Sequence, residues 1–341
     1  MSKSVAVHDL SLQRGTFRLG PLSFTVPPGG RLAIVGPSGS GKTTLLRCLA
    51  GLERIDGGTV RIGDQLVADG DNHVPPDRRG LGLVFQDGAL WPQMTALQHL
   101  TFAAPGLTRE QARELLHRAG LEAQASQKPG TMSGGEAQRL GLCRALAPAP
   151  GVLLLDEPLR SVDVHQRDGL VLLLRTLADE RDLTTILVTH DRDEALALAT
   201  DLVVLRDGQL VEQGPARQLL RQPATAFTAA FLLGAACLPT TAVDGNRLAT
   251  PFGTFDRPEG LRGDLRLVLL PGDVQLTTSG TAPTGRILTV LPGERGLRVR
   301  LALGDQIVET AADAPPAIGT EVPLALCGAP RFLPWQGAST S

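Results

Sequence analysis

The chain has 341 residues, with 33 Lys and Arg against 35 Asp and Glu, so its formal net charge is −2. That balance gives no electrostatic reason to expect nucleic acid or anionic lipid as a partner, and 42% apolar residues exclude a disordered chain. Tyr is absent, which argues against a stacking platform for single strands; four scattered cysteines (Cys48, Cys143, Cys237, Cys327) without a CxxC exclude a zinc ribbon or disulfide scaffold and fit a reducing cytosol.

The length suggests about two domains. Up to about residue 215 the chain alternates short apolar runs with helical segments, as an α/β domain does. No apolar leader stands in the first twenty residues. Leu22, Phe24 and Val26 alternate as in a half-exposed strand, and Leu32-Ala33-Ile34-Val35 is continuous, as in a buried one. Gly36-Pro37-Ser38-Gly39-Ser40-Gly41-Lys42-Thr43-Thr44 follows, matching GxxxxGK[ST] between that strand and a helix carrying Leu45, Leu46 and Leu49. Glycines let backbone N–H groups close around phosphate oxygens, and the helix N-terminus adds its positive end. Lys42 is expected on the β- and γ-phosphates of a nucleotide and the Thr43 hydroxyl on Mg²⁺.

Residues 107–150 have helical texture, with Leu115, Leu116 and Ala119 on one face, and look inserted between strands. Within them, Ser133, Gly134 and Gly135 open a helix and make a second phosphate-sized nest, while Glu136 completes a capping box with Ser133; both readings hold together. One chain has no use for two nests on one γ-phosphate, whereas two chains head to tail do. Val152 to Leu155 is a buried strand ending in Asp156 and Glu157. Asp156 suits the Mg²⁺ shell and Glu157 the polarisation of an attacking water. A helical run (Leu170, Leu173, Leu174, Leu177) leads to a third buried strand, Ile186 to Val188, and Asp207-Gly208 separates two apolar runs as a two-residue hairpin turn.

The uncharged stretch Gln222 to Val243 has its dense apolar part in about 13 residues, too short to span a membrane and suited to a core helix. Beyond about residue 238, Gly and Pro become dense and the period changes to two. Leu297, Val299, Leu301 and Leu303 alternate after the turn from Pro292 to Gly296, flanked by Arg286 to Val290 and Val322 to Leu326. This predicts a small β-barrel or sandwich. The expected division is 1–236 and 237–341, with a helical subdomain at about 87–150.

The ordered set GPSGSGKTT, FQD (Phe85-Gln86-Asp87), MSGGEAQR, LLLDEP and VTHD (Val188 to Asp191) resembles an ABC-transporter ATPase, and the C-terminal part resembles the TOBE domain of importer ATPases. The resemblance implies a P-loop NTPase fold with an inserted helical subdomain and a small all-β domain. It implies ATP and Mg²⁺ as cofactors, Gln86 as a Mg²⁺ ligand that senses membrane subunits, and Ser133 to Glu136 on nucleotide bound to the other subunit. His190 would contact the γ-phosphate; the remaining histidines (His8, His73, His99, His117, His165) read as surface or packing residues.

Three departures stand out. Gln13-Arg14-Gly15 occupies the place of the family's adenine-stacking aromatic, which leaves Phe17 as the nearest ring. Glu136 replaces a Gln of the signature. Arg160-Ser161-Val162-Asp163 stands where SALD is usual, and Arg160 either tunes coupling across a dimer seam or is a solvated charge.

The resemblance implies a homodimer on the cytoplasmic face of the membrane. Its partners would be permease subunits and, indirectly, a solute-binding protein, with no nucleic acid. The segment Asp87 to Met94, with Leu90 and Trp91, would grip a permease helix, unless Trp91 packs its own subdomain. The stretch Val84 to Pro92 most resembles ferric-iron and polyamine importers. The alternatives are a soluble ABC-type ATPase acting on nucleic acid or ribosomes, and half of an exporter.

Overall fold

A computed structural model describes residues 2–86, 88–160, 162–244, 246–278, 282–293 and 296–335, apart from the side chains of Val164 and His165. Asp87 and Ser161, named above, and the reading of His165 lie outside this set. The chain forms two compact units, Met1–Ala216 and Arg217–Ser341.

The first unit opens with β1 (Val5–Arg14) and β2 (Phe17–Val26), an antiparallel pair. On β2, Leu22, Phe24 and Val26 are buried while Pro21, Ser23 and Thr25 are exposed, the alternation of a strand with one face on a core. Next come β3 (Arg31–Val35), buried from Leu32 onward, and α1 (Lys42–Ala50), whose Leu45, Leu46 and Leu49 are buried beside it. Each fully buried leucine contributes about 1.5–3 kcal/mol. The strands β4 (Gly57–Ile62) and β5 (Gln65–Ala68) extend the first pair into an antiparallel sheet of order β2-β1-β4-β5.

The strand β6 (Leu81–Val84) pairs in parallel with β7 (Val152–Asp156), and the helical segment enters the chain between them. Its α-helices among the described residues are α2 (Ala96–Ala103), α3 (Arg109–Arg118) and α4 (Gly134–Leu146). Each starts with a capping box: Thr95 with Gln98, Thr108 with Gln111, Ser133 with Glu136. Such reciprocal bonds satisfy two otherwise orphaned N–H donors.

The unit continues through α5 (Val164–Glu180), β8 (Thr184–Thr189), α6 (Arg192–Leu198), β9 (Asp201–Arg206) and β10 (Gln209–Pro215). The large sheet has the order β10-β9-β3-β8-β7-β6 and is parallel except for β10. β9 and β10 meet at Asp207-Gly208, both at positive φ (49° and 78°), as the two-residue turn requires.

The division falls after the first residue of α7 (Ala216–Arg221), and the second unit goes on with α8 (Ala226–Leu233). It continues through β11 (Ala236–Pro239), β12 (Thr241–Asp244), β13 (Arg247–Thr250), β14 (Gly253–Asp256), β15 (Leu265–Leu269) and β16 (Val274–Leu276). It ends with β17 (Thr284–Gly293), β18 (Gly296–Leu303), β19 (Gln306–Ala312), β20 (Glu321–Leu326) and β21 (Arg331–Pro334). Three antiparallel sheets result, of orders β11-β15-β21, β12-β13-β14 and β16-β20-β17-β18-β19. The last curls back on itself, since Thr310 Oγ1 donates to Val274 O at 2.6 Å and Gly272 N to Glu309 O at 3.0 Å. On β18, Val299, Leu301 and Leu303 are buried; Arg298 and Arg300 face out and pair with Glu309.

The apolar stretch read as a core helix is α8. Its Ala226 and Ala229 pack with Cys237 and Val268, and Phe227 meets Trp335 edge-on. That packing puts α8 with the C-terminal strands, so the compact units divide at 216/217, ahead of the expected 236/237. No helix among the described residues is long and apolar enough to cross a membrane.

Candidate active site

Four adjacent parallel strands of the large sheet end level with one another. Val35 lies beside Thr189, Asp156 beside Val188 and Val84 beside Leu155. The glycine-rich loop leaves β3, His190 follows β8, Glu157 follows β7 and Gln86 lies just past β6. Open α/β sheets bind ligands at the carboxyl ends of their strands, so the topology gathers all four motifs at one rim.

A cavity of about 440 Å³ opens there, lined by Phe17, Ser38, Gly39, Gly41, Lys42, Thr43, Thr44, Gln86, Glu157 and Arg160. Gly41 is the N-cap of α1 at φ 100°, and a Cβ there would fall 2.8 Å from Leu19 Cδ1 and 2.9 Å from Phe17 Cζ. A side chain would therefore collide with the ring and block the N-terminus of α1. Lys42, 6% exposed, donates from Nζ to Gly36 O (2.8 Å) and Pro37 O (2.9 Å), which leaves the third ammonium proton for a ligand oxygen. Burial lowers its pKa, opposed by the charges of Glu157 and Asp156. Ser40 is buried and its Oγ has no partner among the described residues, an orphan that a ligand or water oxygen would satisfy.

Thr43 Oγ1 donates to Asp156 Oδ1 at 3.3 Å. Asp156 is buried, and that burial raises its pKa, with the Thr43 bond acting against it. A hydroxyl and a buried carboxylate facing each other form a donor set of oxygens suited to Mg²⁺.

Glu157 takes φ 45°, a left-handed conformation that costs a non-glycine residue about 1–3 kcal/mol. Its N–H donates to Val188 O at 2.9 Å, which holds the strained turn against β8. Its carboxylate accepts from His190 Nδ1 at 3.0 Å through Oε1 and from Arg160 Nη1 at 2.9 Å through Oε2. Burial pushes Glu157 up, but the His190 and Arg160 bonds and charges outweigh it and leave the group below its ordinary value. Glu157 is therefore a carboxylate at neutral pH. Arg160 is not simply a solvated charge: although half exposed, it binds the proposed base and lines the cavity.

Ser133 to Glu136 do not line this cavity. Ser133 Oγ accepts from Glu136 N at 3.3 Å, and the Glu136 carboxylate accepts from Ser133 N and Gln124 Nε2, each at 2.8 Å. The Ser133 backbone bond leads the effects that lower its pKa. Gly135 is buried, and a Cβ on it would strike Gln166 Oε1. The N-terminus of α4 is thus closed by its own capping box.

Trp91 packs within its own segment, 5.5 Å from the His99 ring and 5.0 Å from Phe102. His99 is fully buried; its Nε2 accepts from Trp91 N at 2.9 Å while Nδ1 donates to Thr95 O at 2.8 Å. Burial lowers the pKa of His99, so the packing role read for it holds. Phe102 beside Trp91 is 59% exposed, so an apolar face also remains open on this segment. Arg144 of α4 stacks on Trp91 and donates to Ala89 O, linking the signature helix to the loop after Gln86.

The sequence profile of the ABC transporter family matches residues 19–160. The Fe(3+) ions import ATP-binding protein FbpC 2 of Rhodococcus jostii is 39% identical over 83% of each chain. The chain belongs to the ABC transporter ATP-binding proteins. It is an ATPase of that family, with the P-loop fold expected from its motifs. An FbpC protein of Streptomyces avermitilis is 40% identical over 78% of this chain and 80% of its own. Among solved structures, the MJ0796 cassette, a dimer bound to ADP and Pi, aligns with a TM-score of 0.54 and 30% identity over 62% of this chain and 98% of that one. An Atm1-family exporter with ATP bound gives 0.57 and 28% identity, covering 65% of this chain and 40% of its own.

Two contributors carried no sequence signal that we read: the Arg144 bridge and Glu194, whose carboxylate accepts from Leu159 N at 3.0 Å and from the Thr189 hydroxyl. The signal was present as Asp191-x-x-Glu194, directly after His190.

Proposed function

We propose that this chain is the ATP-hydrolysing subunit of a ferric-ion importer, working as a homodimer beneath membrane permease subunits on the cytoplasmic face. The observation that carries the catalytic part is the Glu157 carboxylate, ionised, half-buried, and held from both sides at the rim that also presents Lys42 and Thr43. The extended likeness to the FbpC proteins supports iron over polyamine, and it does not favour a soluble ATPase acting on nucleic acid or ribosomes.

In this reading the backbone N–H groups of Gly36, Ser38, Gly39, Ser40, Gly41, Thr43 and Thr44 cradle the phosphates of ATP, Pro37 fixes the turn of the loop, Lys42 balances the phosphate charge, and Phe17 covers the adenine. Thr43, Asp156 and Gln86 would hold Mg²⁺, which would supply charge neutralisation for the phosphates. Glu157 accepts a proton from the attacking water, while His190 orients that carboxylate and contacts the γ-phosphate. The nest at Ser133, Gly134, Gly135 and Glu136 faces nucleotide on a second copy, which explains why it stands apart from its own chain's cavity. The exposed Phe102 and the neighbouring Trp91 present an apolar face to a permease helix. The unit from residue 217 onward is a TOBE-like domain with a regulatory or dimer-stabilising role.

The test is ATPase activity of the chain reconstituted with its cognate permeases in liposomes. Stimulation by the ferric-loaded solute-binding protein is the expected result; stimulation by a polyamine-loaded protein alone would overturn the iron assignment.

A further inference from the structure

Glu194 lies in the first turn of α6 and is 7% exposed. Its two carboxylate oxygens serve two different segments. Oε1 accepts from Leu159 N at 3.0 Å, two residues past Glu157; Oε2 accepts from the Thr189 hydroxyl, one residue before His190. A single buried side chain thus ties the segment carrying Glu157 to the segment carrying His190.

A second clamp runs beside it. Asp191 caps α6 through Asp193 N (2.8 Å) and Glu194 N (3.2 Å), and its other oxygen meets Arg167 Nη1 at 3.5 Å. Arg167 Nε in turn donates to Val162 O at 3.4 Å. Thr189 Oγ1 accepts from Asp191 N at 3.0 Å, so the hydroxyl has its proton committed to Glu194.

We propose that Glu194 is a positioning residue for hydrolysis, setting the Glu157 carboxylate against the His190 imidazole by clamping Leu159 and Thr189 together. The proposal rests on Glu157 as the base. Its physical warrant is the choice of side chain. Both partners of Glu194 are donors, and only a carboxylate offers an acceptor on each arm; a glutamine would turn an N–H toward one of them. Burying that charge is costly, and burial raises Glu194 to about 6, with Asp191 and Glu157 pushing it the same way and the Thr189 and Leu159 bonds opposing. A buried charge kept at a cost in stability is expected where function needs its geometry.

The experiment compares the full-length protein with Glu194→Gln in steady-state ATPase kinetics, ATP binding and thermal melting, and repeats the substitution in a His190→Ala background. The expected result is a fall in kcat of about tenfold, since small misplacements of reacting groups are that costly. KM and ATP affinity should stay within about twofold and Tm should not fall. In the His190→Ala background the further loss should be under about twofold, because the two act through one contact. Thr189→Val should reproduce the kcat loss, and Thr189→Ser, restoring the hydroxyl, should recover it; this pair carries the test if Glu194→Gln does not fold. An unchanged kcat, a loss that tracks a lowered Tm, or a full tenfold loss persisting without His190 would overturn the proposal. Failure of the underlying reading is separate: it would appear as wild-type turnover in Glu157→Gln.

Discussion

His190 Nδ1 lies 3.0 Å from Glu157 Oε1, although 33 residues separate them in the chain. An ionised carboxylate only accepts, so the ring carries its proton on Nδ1. The pairing fixes where the base points before any nucleotide arrives, and it exists because β7 and β8 are parallel neighbours whose ends are level. Replacing Glu157 by Gln keeps the shape and the Arg160 contact side but removes the base. Turnover should fall by about 10²–10⁴-fold, while ATP binding persists and the ATP-bound dimer accumulates. Light scattering with and without ATP, alongside phosphate release, checks both halves of that expectation.

Lys42 holds the loop as well as facing the phosphates. Its bonds to Gly36 O and Pro37 O are lost in Lys42→Ala, so the loop loses both its cation and its internal support. ATP binding should weaken by more than tenfold and turnover should vanish, as measured by nucleotide titration and phosphate release. Wild-type affinity in this variant would remove the loop from the site.

Phe17 enters the cavity from the start of β2, its ring tip against Gly41. Stacking of a base on an aromatic is worth about 1–3 kcal/mol, so Phe17→Ala should raise the Kd for ATP by about tenfold and leave kcat at saturating ATP unchanged. Phe17→Trp should restore binding. Equal Kd values for the wild type and Phe17→Ala would exclude the ring from adenine recognition.

Much of this was legible because the informative signals are local. Continuous apolar runs such as Leu32 to Val35 and Val152 to Leu155 became the buried parallel strands, and Asp207-Gly208 became the turn between β9 and β10. What was not legible depends on irregular or distant partners. β1 is long, yet Asp9 at φ 48° and two register shifts break its alternation, so a period-two pattern never builds up. Within the helical texture at 107–150 the start of α4 was read from the Ser133-x-x-Glu136 box, but the boxes Thr108-x-x-Gln111 and, ahead of that texture, Thr95-x-x-Gln98, which open α3 and α2, were not. The α8 helix read correctly as core, but which core it joins is decided by Val268 and Trp335, far along the chain. Arg160 and Glu194 gained meaning only when the fold brought them to Glu157 and Leu159.

Arg79 is fully buried and spends its guanidinium on backbone carbonyls: Val74 O at 2.7 Å, Leu49 O at 2.8 Å, Cys48 O at 2.9 Å and Val67 O at 3.2 Å. Two of these are the last carbonyls of α1, where a cation also complements the helix dipole. Burial lowers Arg79 to about 10, so it remains charged at neutral pH. Arg79→Met fills the space but takes the guanidinium from all four carbonyls; Cys48 O keeps Gly51 N and Val67 O keeps Val74 N, so the cost, about 3 kcal/mol, falls mainly on Val74 O and Leu49 O. Chemical denaturation should show a lower midpoint with an unchanged slope. A midpoint equal to wild type would mean that water replaces the guanidinium.

Glu194 supplies the last prediction, in stability against pH. Its native pKa of about 6 lies above the ordinary 4.5 of an unfolded glutamate, chiefly because it is buried. Between those values the native state holds a proton that the unfolded state has released, so this group's contribution is fully present below pH 4.5 and is lost as pH rises through 6. A tenfold difference in proton affinity between the two states corresponds to about 1.4 kcal/mol, which makes the whole effect about 2 kcal/mol. Other carboxylates move the other way: Glu157 and Glu136 sit below their ordinary values and weaken the fold on acidification. They are present in both wild type and Glu194→Gln, so they cancel to first order in the difference between the two proteins. The unfolding free energy of wild type minus that of Glu194→Gln should therefore rise by about 2 kcal/mol from pH 7.5 to pH 4.5. Denaturant melts of the two proteins across that range read this directly. A difference that stays flat with pH would mean that Glu194 is solvated in the native state and that its burial carries no cost.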